Sequence, residues 1–469
     1  MQPVHCKTIR QIVKGVLIRG SEDVVIKHAI DYKRHELTKS HTLLFVRRSE
    51  VIDWQELQAK APVVILTDKP EQELMQAPTG VSVYKVRSTL QAYWQFVTFY
   101  REQFSIPVVA VTGTCGKTTT KEMLKYVLEK DQLVQASFSS KNEPRQSLPY
   151  LLGITNDTKA AIFELGLGNS GNILHQCMVY KPTIGIVTNI GVHHLDGCGD
   201  EAGYIKAKAE ILEGLAPDGT LILNADDART KKMPLSVFKG RVVTFGIQSG
   251  MIRASDIQYT KRGMQFKVHA DRTYNAFIQS FGEHEVYNAL ATLAAIQVMG
   301  LSLQKAILRL RTFKPLAHHL QFVKGINGST IIDDTWTTNP TSIEAALNVV
   351  QATSTGKKVI VVLGDINRLG RFERKYHQEV GTLLASQHVS MLITVGKKAQ
   401  EIARQAVMDG LQAEVLKQQT YDELAALIRP KLDANTVVLI KGPMSSRGMK
   451  ELVTALTHKK GLFRKEISE

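Results

Sequence analysis

The sequence predicts an α/β protein of three domains, and three observations support this prediction. The chain has 469 residues, a length that at roughly 150 residues per domain corresponds to about three domains. Apolar segments rich in β-branched residues alternate with helical segments from Pro107 onward, a pattern typical of parallel α/β sheets. The alternation forms two sets separated near Thr312–Pro315. Two consecutive α/β domains and a hinge between them are therefore expected.

The first 100 residues show a weaker pattern. Short strands are predicted at Thr42–Val46 and Pro62–Thr67, and a helical segment near Ser88–Glu102. We interpret residues 1–100 as a separate small α/β domain.

Residues 101–313 form the predicted central domain, and residues 314–469 the C-terminal domain. Helical patterns at Glu283–Gly300 and Ser302–Arg311 close the central domain. The strands predicted for the central domain are Val108–Thr112, Ala160–Leu165, Thr183–Thr188, Thr220–Leu223 and Val242–Phe245. Those predicted for the C-terminal domain are Thr330–Ile332, Lys358–Leu363, Met391–Val395 and Thr436–Ile440.

The composition indicates a soluble protein from a reducing compartment. Hydrophobic residues make up 43% of the chain and charged residues 22%, as in ordinary globular domains. No apolar run approaches the roughly 18 residues of a membrane-spanning helix, and the N-terminus lacks the pattern of a secretion signal. The four cysteines form no C-x-x-C pair. A cytoplasmic protein without membrane insertion is expected.

The net charge of +15 favours acidic partners such as nucleotides and phosphorylated substrates. The basic residues are spread along the chain, and no basic stripe interleaved with aromatic residues is present. We therefore expect small-molecule partners and no nucleic acid.

The strongest motif is the segment VVAVTGTCGKTTTK at residues 108–121, in which a buried-type strand enters a glycine turn and then a helix. Gly113 and Gly116 allow backbone N–H groups to face an anion, and Lys117 can reach terminal phosphates. The Thr118 hydroxyl can ligate Mg²⁺. This pattern predicts a phosphate-binding loop for ATP. The residues assigned to it are Gly113, Thr114, Cys115, Gly116, Lys117, Thr118 and Thr119.

The loop departs from the common G-x-x-x-x-G-K-[ST] spacing, because Val111 occupies the position of the first glycine. The alternative interpretation is a tight strand-to-helix turn with an incidental Lys-Thr pair. The strand, glycines, lysine and hydroxyl stand in the required order, which favours phosphate binding.

The loop resembles the T-G-T-x-G-K-T-T form of the Mur ligase family, and further segments match that family in order. The resemblance extends from Pro107 to about Val453. It implies a central ATP-binding domain and a C-terminal Rossmann-like domain. The matching segments are Phe163–Gly166, Thr188–Asp196, Lys206–Ile211, Asn224–Asp227, Gly282–Leu290, Asp333–Pro340, Leu363–Asp365, Leu369–Gly370, Tyr376–Gly381 and Lys441–Gly442.

The resemblance implies a metal site on the central domain. Its magnesium ligands would be Thr118, Glu164, His194 and a carbamylated lysine, which alignment places at Lys208. The alternatives are a strand-end carboxylate for Glu164, a hydrogen-bonded loop histidine for His194 and a surface lysine for Lys208. Lys206 and Lys208 alternate, and alignment alone selects between them.

The resemblance also implies nucleotide contacts from Glu285 and Asn288 near adenine, and from His319 and Asp334 of the C-terminal domain. Asp334, like Asp365, follows a predicted strand, where ligands of open α/β sheets bind; an N-cap role is the alternative.

Four positions differ from the family pattern. His319 replaces an arginine that reaches the phosphates, and Glu285 replaces an asparagine. Trp336 and Met444 also depart from it.

The function implied is ATP-dependent joining of a carboxylate to an amine through an acyl phosphate, with Lys117, His194 and Lys208 as catalytic residues. The closest pattern is the branch that adds D-alanyl-D-alanine to a UDP-muramoyl tripeptide. Only Asp31–Lys33 weakly resembles that branch's UDP-sugar segments, so a ligase for another carboxylate and amine stays open. A nucleotide-binding regulatory protein without turnover and a kinase are further alternatives. We expect a monomer.

Overall fold

The structure, a computed structural model, describes residues 1–31, 37–418, 421 and 423–457. Within these ranges the strands form sheets of five, nine and six strands and a two-stranded ribbon. The sheets follow one another along the chain, which confirms the predicted α/β class with parallel-sheet domains. None of the described helices has the length and apolar character needed to cross a membrane. Of the segment Asp31–Lys33, Tyr32 and Lys33 lie outside the described residues.

The first sheet lies in the N-terminal domain and has the order β2-β7-β6-β5-β4. Strands β4 to β7 run parallel, whereas β2 is antiparallel to β7, and β1 pairs with β3 in the ribbon. The strands are β1 Val4–His5, β2 Val16–Arg19, β3 Val25–Ile26, β4 His28–Asp31, β5 Thr42–Val46, β6 Val63–Thr67 and β7 Val81–Lys85. The helices are α1 Cys6–Val13, α2 Trp54–Ala59, α3 Glu71–Leu74 and α4 Thr89–Glu102. The two predicted strands and the predicted helix are confirmed within one residue at each end. Ser88 begins α4 as an N-cap whose side chain accepts from Gln91 N–H.

The nine-stranded sheet lies in the central domain and has the order β16-β15-β14-β13-β12-β11-β8-β10-β9. Strands β8 to β14 are parallel, and β14 to β16 continue the sheet as an antiparallel meander. The strands are β8 Val108–Thr112, β9 Val134–Ala136, β10 Ala160–Glu164, β11 Ile184–Val187, β12 Thr220–Asn224, β13 Arg241–Gly246, β14 Ile252–Thr260, β15 Gly263–His269 and β16 Thr273–Ile278.

The five strands predicted for this sheet are confirmed within one residue at each end. Strands β9 and β14–β16 were not predicted. In β14, buried and exposed positions alternate and polar residues predominate, so it lacks the continuous apolar run that identifies a buried parallel strand.

Helices cover both faces of the central sheet. Val109 and Val111 of β8 belong to a core cluster with α5 and α10, whereas Val108 and Ala110 belong to a cluster with α4, α7 and α9. This division follows from the alternation of side chains along a strand. The helices are α5 Lys117–Leu128, α6 Ser147–Leu152, α7 Asn172–Tyr180, α8 Leu195–Cys198, α9 Glu201–Gly214, α10 Glu283–Val298 and α11 Leu303–Leu310.

The six-stranded sheet lies in the C-terminal domain and has the order β17-β18-β22-β19-β20-β21. It is parallel except for the edge strand β17. The strands are β17 Gln321–Lys324, β18 Thr330–Asp334, β19 Lys358–Gly364, β20 Met391–Val395, β21 Glu414–Gln418 and β22 Thr436–Lys441. The helices are α12 Pro340–Thr353, α13 Glu373–Ala385, α14 Gln400–Met408, α15 Leu424–Ile428 and α16 Arg447–Leu456. The short 3₁₀ helices are Pro144–Gln146, Thr230–Lys232, Leu235–Val237, Ile326–Gly328, Gly370–Phe372 and Arg429–Lys431.

The C-terminal domain contacts the central domain through segments that follow two of its strands. After β18, Asn339 at the N-cap of α12 accepts a hydrogen bond from the Cys115 thiol at 3.4 Å. After β19, Arg368 forms an ion pair with Asp196. The carboxyl ends of these parallel strands therefore lie towards the predicted ATP site, as expected for ligand sites in open α/β sheets.

Candidate active site

The predicted phosphate loop connects β8 to α5. Gly113 has φ +147° and Gly116 has φ +80°, both in the region that favours glycine. A Cβ at Gly113 would lie 1.9 Å from Thr188 Oγ1, and one at Gly116 would lie 2.1 Å from Asn288 Oδ1. Both glycines are thus required by conformation and by space, which is stronger support for a built loop than the sequence spacing.

Part of the loop is held by the segment after β11. Asn189 accepts the N–H groups of Thr114 and Cys115, through its carbonyl and its side-chain oxygen, each at 3.0 Å. The Thr188 hydroxyl donates to Cys115 O at 2.6 Å, and Thr114 Oγ1 accepts from Gly191 N. Thr114 and Cys115 therefore support the loop. The N–H groups that can face a phosphate are those of the first turn of α5, where a helix leaves its N–H groups without intrahelical partners.

Glu164 ends β10 beside the start of α5. The Thr118 hydroxyl donates to Glu164 Oε2 at 2.8 Å, and Asn142 Nδ2 donates to Glu164 Oε1 at 2.6 Å. Glu164 is only 2% exposed. Two of the predicted metal ligands, Thr118 and Glu164, are therefore adjacent. Asn142 was not predicted, because the sequence gives no local sign of a partner 22 residues away.

Lys208 lies on α9, and its side chain extends to the start of the phosphate loop. Its Nζ is 3.1 Å from Thr112 Oγ1 and 2.9 Å from Gly113 O, and the residue is buried. Burial, followed by the nearby charge of Lys117, holds the pKa of the Lys208 amine well below its usual range. Lys206 is exposed. The structure thus places the lysine selected by alignment, and not its neighbour, beside the loop.

His194 precedes the short helix α8 and has a left-handed backbone, with φ +51°. Its Nδ1 is buried and has no hydrogen-bond partner among the described residues. Burial, together with the charges of His193 and Arg368, lowers the pKa of His194 to about 2. The ring is therefore neutral and carries a nitrogen that is free to bind a ligand. The described residues contain no group of three His, Cys, Asp or Glu side chains that could hold a metal.

The C-terminal domain contributes Asp334, at the end of β18. Lys441 donates to Asp334 Oδ2 at 2.5 Å and to Thr337 O at 2.9 Å, and Lys441 is 1% exposed. Asp334 is thus oriented by a buried lysine. Asp365 instead accepts the N–H groups of Lys398 and Ala399 in the turn before α14, and it is the N-cap of neither α13 nor α14.

His319 packs against Trp336, with ring centroids 5.2 Å apart. Its Nδ1–H donates to Ala317 O at 2.7 Å, and burial lowers the pKa of the imidazole. His319 is therefore a neutral ring in a short aromatic pair. Unlike the arginine that it replaces, it does not present a fixed positive charge.

Asn288 and Glu285 lie in the first two turns of α10. Asn288 Oδ1 accepts from the Thr120 hydroxyl at 3.4 Å and packs on Gly116, which links α10 to the phosphate loop. Glu285 is buried, and its Oε2 has no partner among the described residues. Burial raises the pKa of the Glu285 carboxyl to about 7. A protonated carboxyl can donate one hydrogen bond and accept at its carbonyl oxygen, so it can both donate and accept, as the asparagine of the family pattern can.

Comparison with known proteins gives a consistent result. Residues 111–296 match the Mur ligase middle domain, and residues 318–444 match the Mur ligase glutamate ligase domain. The chain is 27% identical over 451 residues to UDP-N-acetylmuramoyl-tripeptide--D-alanyl-D-alanine ligase of Bacillus subtilis, covering 95% of this chain and 96% of that protein. It is 30% identical over 366 residues to the ligase of the same name from Synechocystis, covering 77% of each.

Solved structures of Mur ligases have the same fold as this chain. MurF from Acinetobacter baumannii superposes with a TM-score of 0.84 and 26% identity, covering 98% of this chain and 100% of that one. MurF of Thermotoga maritima in complex with ADP has the same fold, with a TM-score of 0.76 at 18% identity and coverage of 91% and 98%. With two matched domains and a relative that is 30% identical over 77% of its length, the chain belongs to the Mur ligase family.

Proposed function

We propose that this chain is an ATP-dependent ligase that joins D-alanyl-D-alanine to a UDP-N-acetylmuramoyl tripeptide, a step of peptidoglycan precursor synthesis. The observation that carries the proposal is the convergence of Lys117, Thr118, Glu164 and Lys208 on one loop that the C-terminal domain covers. Two relatives that align with about 95% of the chain, from Bacillus subtilis and Haemophilus influenzae, are named for this reaction. The proposal places the enzyme in the cytoplasm, as a monomer.

The chemistry requires activation of a carboxylate. A carboxylate oxygen of the tripeptide attacks the γ-phosphorus of ATP, the bond to the β–γ bridging oxygen breaks, and ADP leaves. The amine nitrogen of the dipeptide then attacks the acyl carbon, phosphate leaves and the nitrogen loses a proton. Such transfer depends on positioning and on positive charge near the phosphoryl group. Lys117 and the N-terminus of α5 provide that charge.

The residues present fit a magnesium ion. Mg²⁺ in phosphoryl-transfer sites is held by one or two carboxylates and by phosphate oxygens, and here the Glu164 carboxylate touches the Thr118 hydroxyl. The unpartnered buried Nδ1 of His194 is a further candidate ligand. A metal held by Thr118, Glu164 and His194 would neutralise charge on the phosphates. Lys208, with its lowered pKa, would add an oxygen ligand after carbamylation.

The UDP end of the substrate can be assigned to a separate pocket. A cavity of about 530 Å³ lies between the N-terminal and central domains, within the size range of small-ligand sites. The guanidinium of Arg47, which pairs with Asp31 at 2.7 Å, would bind the diphosphate through its other N–H groups. The rings of Tyr93, Trp94 and His175 offer apolar faces for the base. Trp94 and His175 are in edge-to-face contact at 5.2 Å across the two domains.

The test is ADP and phosphate release from ATP with Mg²⁺, UDP-N-acetylmuramoyl tripeptide and D-alanyl-D-alanine, followed by mass spectrometry of the product. Release that requires both substrates and yields the UDP-linked pentapeptide is expected. A stable phosphorylated product that D-alanyl-D-alanine does not convert to the pentapeptide would indicate a kinase. Nucleotide binding without release would indicate a regulatory protein, and release with a different substrate pair would indicate a ligase of other specificity. Each of these results would overturn the proposal.

The pocket is tested separately by UDP binding measured calorimetrically. Arg47→Ala is expected to weaken binding by about 10-fold or more, because a charge-assisted hydrogen bond to phosphate contributes about 1.5–3 kcal/mol. Arg241→Ala, an exposed arginine on β13, is the matched control and should leave UDP binding unchanged.

A further inference from the structure

The loop after β19 forms hydrogen bonds and an ion pair with the turn that contains His194. Leu195 N–H donates to Arg368 O at 2.8 Å. The Arg368 guanidinium pairs with Asp196 at 2.8 Å and reaches Gly168 O at 3.4 Å. The turn and the loop belong to different domains, so this contact depends on the docking of the C-terminal domain.

The loop is held in place from within its own domain. His377 on α13 accepts the Ile366 N–H at its Nε2 and donates from Nδ1 to Glu373 O. Arg368 has a left-handed backbone, with φ +66°, which a non-glycine residue keeps only where surrounding contacts hold it. Gly370, with φ +56°, allows close approach, because a Cβ there would lie 3.2 Å from Asp196 Cα. Contacts within the C-terminal domain therefore help to position the loop that carries Arg368.

The contacts from Arg368 lie next to His194, at the turn whose backbone sets the direction of the His194 side chain. His194 is itself left-handed and is the N-cap of α8, and Leu195 supplies the first N–H of that helix. A first-turn N–H has no intrahelical partner, and here the partner comes from the other domain. The Arg368–Asp196 pair is more than a third exposed, so it should add little to global stability. Its effect is on the orientation of the turn.

We propose that Arg368 is a positioning residue for His194, and that the metal and phosphate site is complete only when Arg368 holds the 194–196 turn. The inference rests on the proposed function for the role of His194, and it goes beyond that function in making the C-terminal domain responsible for the geometry of a central-domain ligand. Arg368 acts through the turn and does not itself contact substrate.

The first readout uses the ligand-free protein. Amide hydrogen exchange of the segment 190–199 is expected to be faster in Arg368→Ala than in the wild type, because Asp196 loses its ion pair with the guanidinium and only the backbone bond from Leu195 N–H to the carbonyl of residue 368 remains. Arg371→Ala is the matched control: this exposed arginine of the same loop lies over the ring of Phe372 in its own domain. Its exchange should equal that of the wild type. The charge swap Arg368→Asp with Asp196→Arg should restore slower exchange than either single variant.

The second readout is the Mg²⁺ concentration that supports half-maximal ADP formation. For Arg368→Ala it should rise by about 10-fold or more, as for other residues that orient a metal ligand, with the KM for D-alanyl-D-alanine and the Tm unchanged. Exchange and Mg²⁺ requirement equal to those of the wild type would overturn the inference, and so would a parallel fall in Tm or a swap that restores nothing. If the wild type lacks ligase activity, the proposed function fails. The exchange measurement still tests whether Arg368 holds the 194–196 turn.

Discussion

The buried carboxyl of Glu285 should make the stability of the protein depend on pH in a defined way. Burial raises the pKa of this carboxyl from 4.5 to about 7, and the negative charge of Asp334 acts in the same direction, whereas a hydrogen bond from Asn288 opposes it. The neighbouring His284 has its Nε2 3.7 Å from Glu285 Oε1, and burial lowers the pKa of His284 to about 4. The folded protein therefore favours a neutral carboxyl beside a neutral imidazole.

The direction and size of the change in the free energy of unfolding follow from the linkage between proton binding and folding. Because the folded pKa lies above the unfolded one, the contribution of Glu285 to the free energy of unfolding is complete below about pH 4.5 and is lost as the pH rises through about 7. One pKa unit corresponds to 1.36 kcal/mol, so the full difference is about 3 kcal/mol. Glutamine is a neutral side chain of the same shape. Glu285→Gln should therefore avoid this loss.

The assay is the Tm of the ligand-free wild type and of Glu285→Gln between pH 5 and pH 8.5. At about 2–4 °C per kcal/mol for a domain of this size, the variant should exceed the wild type by roughly 6 °C or more at pH 8.5 and converge with it near pH 5. His284 titrates in both proteins, so its contribution largely cancels in the difference. Glu283→Gln, an exposed glutamate of the same helical turn, should show no such dependence. A difference in Tm that does not change with pH, or a variant less stable at pH 8.5, would refute the reasoning.

Three further predictions concern the site. Lys117→Ala should lower ADP formation by about 10³-fold or more with the circular dichroism spectrum unchanged; turnover near the wild-type rate would remove the loop from the mechanism. Lys208→Ala should abolish activity, and a short carboxylic acid in the buffer should restore part of it, whereas the variant of the exposed Lys206, Lys206→Ala, should lose little activity. Loss of activity in Lys206→Ala alone would show that the wrong lysine was assigned. In small-angle scattering, nucleotide and substrate together should shift the protein towards the docked arrangement seen here by rotation at Thr312–Pro315; no compaction despite confirmed binding would contradict a hinge there.

The sequence predicts best those features that depend on neighbouring residues in the chain. The buried strand Val108–Thr112 is a continuous apolar run because both faces of a parallel sheet are covered, and the glycines after it mark a backbone that other residues cannot adopt. The antiparallel meander β14–β16 was missed because each strand has an exposed face and a mixed composition. A half-exposed edge of a sheet carries no run of apolar residues that distinguishes it from a loop.

Long-range partners of the site could not be predicted from one sequence. Asn142, Asn189 and Asn339 fix Glu164, the loop backbone and Cys115 through contacts between segments far apart in the chain. Asn189 and Asn339 lie in the segments Thr188–Asp196 and Asp333–Pro340 that match the family pattern, but the pattern does not say which atoms their side chains contact. Helical geometry could have separated Lys206 from Lys208, since residues two apart on a helix point about 200° apart and only one can face the core.

The surroundings of Lys208 disfavour a free ammonium group, which is a condition that the proposed carbamate requires. An ammonium group at Lys208 would have three N–H donors, and its neighbours are Thr112 Oγ1, Gly113 O and the ring of Tyr204, with the positive charge of Lys117 nearby. Burial of that charge beside a second cation is unfavourable. A carbamate would keep one N–H to donate to Gly113 O, and the Thr112 hydroxyl could turn and donate to a carbamate oxygen. The same change replaces a cation by an anion next to Lys117 and the predicted magnesium site. The lowered pKa of Lys208 keeps its amine neutral, which is the form that can capture CO₂ in the proposed modification.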